Sequence, residues 1–595
     1  MMPSKILIVY FFTLIFIPVL SSAYGQDESI TDTINHDWPS FGRDYRNQRF
    51  SPLKQINKDN VSNLKLAWEF KSGVVGSFQA TPIVVDGIMY VSLPYDHVVA
   101  LDATTGKLLW RYEHIRRKDW SMCCGPANRG VAVSDGKVFI GTVDARVIAL
   151  DSKTGKVVWD IDAVNEGVNT EGQASLDEKD PNSRAKVSGG TGVGIAMAPI
   201  VYHGKLIIGI TGVGYGLHID NPRPDAPLGA VIGVAGRYGR PGFLAAFDVN
   251  SGKRIWQFDT IPSEHWEGEF TPTTPDGIPL NRNIKEEKAN IITHPDAWKF
   301  GGGSAWTTPA IDVNSGLLYF GTGNPSPQMN DIERPGDNLY TVSLVALDAD
   351  TGKLRWHYQQ VPHDVWGYDL ASPPVLFEYK LNGKSIPAVG QASKTGWFYI
   401  HNRMTGELIL KSEAFVPQFN LFAKATPEGT RIFPGILGGS NWSPVALDEE
   451  EQKVYVAGIH SPIIYKLHEA APKDGLEGIR YASSEPSEEA RYGLLSAIDL
   501  KTGKIVWQNK TEQPLIGGVL ATKGNLVFTG EGNGNFNAYD AIDGRVLWQS
   551  KSDAGVNAPP ISYEINGNEY IAVAVGGNAI FGYKQGDSLK VYRLH

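Results

Sequence analysis

The chain has 595 residues and a formal net charge of −9, with no charge runs and no basic stripe, a pattern that argues against nucleic acid as a partner. It is too long for one ordinary core yet shows no linker-like shift in composition, so a repeat architecture is expected rather than a string of separate domains. With 65 glycines, 15 tryptophans and 10% aromatic residues, it has the tight turns and packed rings of an all-β protein.

At the start, Lys5 precedes an apolar run over residues 6–20, followed by Ser21, Ser22 and Ala23. Charge, apolar core and small-residue exit describe a secretory signal peptide over residues 1–25, with an uncleaved membrane anchor as the alternative. Either way, residues 36–595 are expected as one exported domain, periplasmic or extracellular, which touches a membrane only through the N-terminal segment.

The body carries a recurring phrase: a small residue, an apolar one, Asp, a short turn with Thr, Gly and Lys or Arg, then Trp. It runs over residues 100–110, 149–159, 246–256, 346–356, 497–507 and 538–548. A worn copy at residues 402–407 lacks its tryptophan, and Trp68 ends another whose beginning is absent. Each copy reads as strand, tight turn and strand, with Asp bonding the turn backbone, Gly supplying positive φ and Trp on a buried face. Spacings of roughly 40–50 residues, or twice that, fit four-stranded propeller blades. These tryptophans are assigned to structure. Runs such as residues 81–85 and 205–209 supply further strands, and residues 570–575 are expected to complete a blade begun at the N-terminus, closing the ring. Residues 160–190, 216–241 and 467–491 break the rhythm and read as surface loops or lids.

The only two cysteines, Cys123 and Cys124, are neighbours. A bridge between them would strain both the bond and the intervening peptide, and it would close too short a loop to act as a staple. Two readings stand: a rigid, sulfur-faced platform beside Arg129, or two unbridged buried fillers.

With Cys-Cys-Gly-Pro-Ala-Asn-Arg-Gly at residues 123–130, six tryptophan motifs and an export signal, the chain resembles the pyrroloquinoline quinone (PQQ) dehydrogenases, the quinoprotein alcohol, methanol and glucose dehydrogenases. The resemblance implies an all-β, eight-bladed propeller with a central quinone, and a disulfide between Cys123 and Cys124 stacked on one quinone face. It also implies that Arg129 pairs with quinone carboxylates, a task suited to a planar bidentate donor. Trp306 matches the indole on the opposite face, and Ser304 stands where a threonine hydroxyl usually binds. Asn324 matches an amide ligand of the metal, Lys394 the cation at the reactive carbonyl oxygens, and Asn441 an amide donor to the cofactor.

Three usually acidic positions depart from that pattern. Gln79 and Gly214 stand where glutamates are usual, and Gly367 stands where an aspartate takes the substrate's proton. Asp369, two residues on, coincides with the extra aspartate of lanthanide-dependent members; strand alternation points it the same way as position 367, as a metal ligand and substitute base. His363 and Asp364 are expected only to shape the loop. The expected function is oxidation of an alcohol or sugar hydroxyl with PQQ and Ca²⁺ or a lanthanide. No Cys-x-x-Cys-His is present for a covalent haem, so electrons are expected to leave to an external cytochrome or copper protein. The rivals are a quinone-free scaffold propeller in the same compartment and a hydrolase, the latter without a visible nucleophile elbow.

Overall fold

The computed structural model describes residues 36–115, 127–164, 194–211, 217–219, 229–231, 241–326, 331–332, 334–470 and 479–595. Cys123, Cys124 and Gly214 lie outside them. Among the described residues, eight sheets share one plan of four antiparallel strands. The first sheet comprises Ile83–Val85, Ile88–Ser92, Val98–Asp102 and Leu108–Tyr112, and the others begin at Ala132, Ile200, Ala310, Val375, Ala446, Leu520 and Ile561. The alternating apolar residues of each sheet are buried against its neighbours, in clusters that draw from two adjacent sheets.

The recurring phrase, worn in the fifth sheet, forms the turn and outer strand of the first seven sheets. Asp102 Oδ1 accepts from the N–H groups of Thr104 and Thr105 at 3.0 and 2.8 Å, while Gly106 takes φ +72. Trp110 then reaches the next sheet, where its indole N–H donates to the Ser152 carbonyl at 2.8 Å and its ring lies over Gly155. Trp159, Trp256, Trp356 and Trp507 repeat this contact on Val249, Ala349, Arg403 and Ala541. Trp68 docks on Ala103 and Gly106 of the first sheet, and Trp548 on the Leu64 carbonyl of the last. Where the worn copy lacks tryptophan, Leu410 faces Gly503 instead.

The last sheet joins the chain ends. Ile561–Ile565, Asn568–Val575 and Gly586–Leu594 are completed by Leu64–Gly76 from the N-terminal side. Ahead of that strand, residues 36–51 run across the first strands. The carbonyls of Tyr45, Arg46, Gln48 and Arg49 accept from the N–H groups of Ile311, Leu376, Leu447 and Ala521 in the fourth to seventh sheets. Arg49 is fully buried and donates to the carbonyls of Val519 and Pro560 at 3.2 and 2.6 Å.

Two expected loops are corrected. Within residues 467–491 the chain forms a hairpin, Ile463–Ala470 paired with Ile479–Pro486, and Thr430–Ile432 adds a third strand. Its alternation is obscured because the strands stand outside the tryptophan repeat. Within 216–241, Leu217–Ile219 pairs with Gly229–Val231. Among the described residues no helix is long and apolar enough to cross a membrane.

Candidate active site

The site residues occupy equivalent places in successive sheets. Gln79 and Trp306 each precede a first strand by four residues, Asn441 precedes one by five and Asp369 by six, and Asn324 and Lys394 follow second strands. The same end of each sheet therefore presents its loops to a common centre.

At that centre Asp369 is 4% exposed. Its Oδ2 accepts from Lys394 Nζ at 2.8 Å, and its Oδ1 accepts the backbone N–H of Asn324. Lys394 Nζ also donates to the Gly367 carbonyl at 3.0 Å. Gly323 brings the strands close: a Cβ there would lie 3.1 Å from Asp369 Oδ1 and 3.1 Å from the Ser304 nitrogen. Ser304, Asn324, Asp369 and Lys394 thus form one group. Asn324 Nδ2 donates to the Pro325 carbonyl at 2.9 Å, leaving its amide oxygen without a hydrogen-bond donor among the described residues.

Arg129 lies between two indoles, its guanidinium carbon 5.0 Å from the Trp306 ring centre and 4.8 Å from that of Trp442. It has no carboxylate partner among the described residues, and its Nε has no acceptor. Burial pushes its pKa down to about 9. An unpaired buried cation between aromatic faces is a receptor for an anionic planar ligand. Asn441 Oδ1 accepts from the Trp442 N–H at 2.9 Å. The site therefore gathers Arg129, Ser304, Trp306, Asn324, Asp369, Lys394 and Asn441, and adds Trp442, whose only sequence signal was its place beside Asn441.

Gly367 holds φ +79 and carries no side chain. Asp364 makes that turn, with its carboxylate accepting from the N–H groups of Trp366, Gly367 and Tyr368 at 3.0–3.1 Å. Burial raises its pKa to about 6. His363 Nδ1–H donates to the Gly336 carbonyl at 2.7 Å, and burial lowers its pKa to about 3. Both residues shape the loop, as expected. The buried trio Asp96, His114 and Asp144 was not visible from spacing, because its members come from two sheets.

Repeated four-stranded sheets, cross-docked by tryptophan around a buried cationic and aromatic centre, define a β-propeller. The family model described as PQQ, glucose/ethanol/alcohol dehydrogenase, beta-propeller domain, matches residues 38–421 and 415–571, and the chain belongs to this family. It is 33% identical to the quinoprotein alcohol dehydrogenase PedH of Pseudomonas putida KT2440, over 94% of this chain and 89% of that protein. It is also 33% identical to a quinohemoprotein alcohol dehydrogenase of Comamonas testosteroni, over 92% of this chain and 73% of that one. The crystal structure of the quinohemoprotein alcohol dehydrogenase from Comamonas testosteroni is similar with a TM-score of 0.74 and 31% identity, covering 94% and 80% of the two chains. A europium-containing methanol dehydrogenase gives a TM-score of 0.76 at 27% identity, covering 96% and 100%.

Proposed function

We propose that this protein is an exported PQQ-dependent dehydrogenase that oxidises an alcohol or sugar hydroxyl to a carbonyl and passes the electrons to an external cytochrome or copper protein. The eight sheets are read as eight blades of one closed ring, supported by tryptophan contacts between successive sheets at every junction but the fifth to sixth, where Leu410 faces Gly503, and by Leu64–Gly76 joining the last sheet. Relatives bearing quinoprotein alcohol dehydrogenase names support the reaction class, and none of those described above is named as a scaffold.

The residues fit the cofactor. PQQ is a planar aromatic quinone with carboxylates, and Arg129 offers a buried guanidinium flanked by two indoles and without a carboxylate partner among the described residues. Trp306 provides one stacking face, and Cys123 and Cys124, outside the described residues, are assigned the other. Ser304 and Asn441 supply polar contacts. Asn324 and Asp369 provide the oxygen donors that Ca²⁺ or a lanthanide requires.

When bound, the quinone supplies the electrophilic carbon that accepts hydride from the substrate, and the cation polarises the adjoining carbonyl. Asp369 is the observation that carries the reading. With the usual base position occupied by Gly367, it is the carboxylate held at the centre beside Lys394. A carboxylate has about four lone-pair sites and Asp369 uses two of them on the described residues, so others remain for the cation and the substrate's hydroxyl proton. Lys394 holds the carboxylate in place while its ammonium stands ready for an oxygen of the cofactor.

The test is titration of the protein with PQQ plus Ca²⁺ and, separately, PQQ plus La³⁺, following quinone absorbance and dye reduction with a panel of alcohols and sugars. Tight binding with reduction is expected, and the preferred ion reports on Asp369. Failure to bind PQQ with either ion overturns the proposal.

A further inference from the structure

A buried carboxylate outside the site bears on Arg129. Asn128, 2% exposed, uses its whole side chain around that arginine. Its Oδ1 accepts from the Gly130 N–H at 3.1 Å, an Asx turn with Arg129 between the two bonded residues. Its Nδ2 donates to Asp96 Oδ1 at 3.0 Å and to the Gly141 carbonyl at 2.7 Å. Arg129 itself is tied to the sheets on either side: its N–H donates to the Ala196 carbonyl, and its own carbonyl accepts from the Thr81 N–H. Its Nη1 also donates to the Ala196 carbonyl at 3.2 Å. The Asx turn adds a constraint on how the side chain leaves the backbone, and one end of that constraint is Asp96.

Asp96 is costly to place where it is. It is fully buried, and both it and Tyr95 hold left-handed backbone, at φ +66 and +63, which side-chain-bearing residues rarely adopt. Its second oxygen accepts from the Val143 N–H at 2.8 Å. Asp144 stands close by, held by His114 Nε2 at 2.8 Å and by the Thr142 hydroxyl at 2.5 Å. Two strained residues and a crowded pair of acids form an arrangement that persists only where the surrounding contacts over-determine it. Among the described residues the side chain that Asp96 restrains is that of Asn128.

We propose that Asp96 is a positioning residue for Arg129: through Asn128 it fixes the turn that aims the guanidinium at the carboxylates of a bound quinone. This rests on the PQQ-dependent reading above. Without the Asp96 carboxylate a buried Asn128 N–H loses its acceptor, the amide turns to find another, and the Asx turn loosens. Partners behind a directly bound ligand set its orientation, and their loss typically weakens binding on the order of 10- to 100-fold.

The experiment titrates wild-type, Asp96→Ala, Asp96→Asn and His114→Gln proteins with PQQ and with its trimethyl ester, each with Ca²⁺. Quenching of tryptophan fluorescence reports binding, and Tm is recorded on the same samples. The ester lacks the quinone's free carboxylates, so the ratio of the two affinities reports on carboxylate recognition, the role assigned to Arg129. His114→Gln disturbs the same buried cluster but leaves the Asp96–Asn128 bond. Wild type is expected to prefer PQQ; Asp96→Ala is expected to lose roughly 10- to 100-fold for PQQ and little for the ester. Asp96→Asn, which keeps one acceptor oxygen, loses less and serves if the alanine variant does not fold. His114→Gln keeps the wild-type ratio whatever its Tm. An unchanged ratio in both Asp96 variants overturns the inference, as does an equal fall in His114→Gln that follows its Tm. Wild type that binds neither compound overturns the dehydrogenase reading and this inference with it.

Discussion

Lys394 Nζ and Asp369 Oδ2 lie 2.8 Å apart, with both side chains almost wholly withdrawn from solvent. Removing one partner of such a pair leaves an uncompensated buried charge, whose typical cost is about 3–5 kcal/mol. Asp369→Ala is therefore expected to destabilise the cofactor-free protein by that order in chemical denaturation. In the PQQ- and metal-loaded protein, loss of the base is expected to lower dye reduction by about 10² to 10⁴. Turnover and metal affinity equal to wild type would remove Asp369 from both roles.

Arg129 sets stability against binding. Its guanidinium is buried with no carboxylate partner among the described residues, an arrangement that costs the cofactor-free protein free energy. Arg129→Met is thus expected to raise the Tm of the cofactor-free protein while weakening PQQ roughly 10- to 100-fold, the worth of one charge-assisted hydrogen bond. Thermal unfolding and a PQQ titration on one preparation check both signs. A fall in both quantities would mean that Arg129 is structural.

Much of this was legible in the sequence, for reasons that differ by level. The turn-and-tryptophan phrase is local: Asp102, Gly106 and Trp110 lie within one hairpin, so their spacing carries the geometry. The site residues were legible through resemblance, and the structure groups Asp369 and Lys394 of the fifth sheet with Asn324 and Ser304 of the fourth. Trp442 over Arg129, the hairpin of Ile463–Ala470 and the Asp96–Asn128 bond were not legible. Each depends on which blades become neighbours or on strands outside the repeat, and no spacing along the chain encodes that.

The docking contact gives a stability prediction that is independent of function. Gly352 holds φ +71, and a Cβ there would lie 2.6 Å from Trp256 Cε3. Gly352→Ala combines an unfavourable backbone with a clash against a packed indole, so a loss of about 2 kcal/mol or more is expected. Gly316→Ala is the control: it has a similar φ of +68 but nothing within 4 Å of the added carbon, so it reads the backbone part alone. The difference between the two variants in urea denaturation measures the docking contact, and equal losses would show that it carries no stability.

Glu569 makes ring closure sensitive to pH. It is 1% exposed, its Oε2 accepts the Ile56 N–H at 2.8 Å, and its backbone N–H donates to Gln55 Oε1 at 2.7 Å, tying the N-terminal segment to the last sheet. Burial raises its pKa from 4.5 to about 7. Because the folded protein holds this proton more tightly than the unfolded chain, its contribution is fully present below about pH 4.5 and is lost as pH rises through about 7. A shift of that size is worth roughly 3 kcal/mol. Glu569→Gln keeps an acceptor for Ile56 and cannot ionise, so its gain over wild type should grow between those limits and level off above pH 8. Denaturation of both proteins at a series of pH values gives the difference directly. A difference that stays flat across the window would show that Glu569 ionises alike in the folded and unfolded chains.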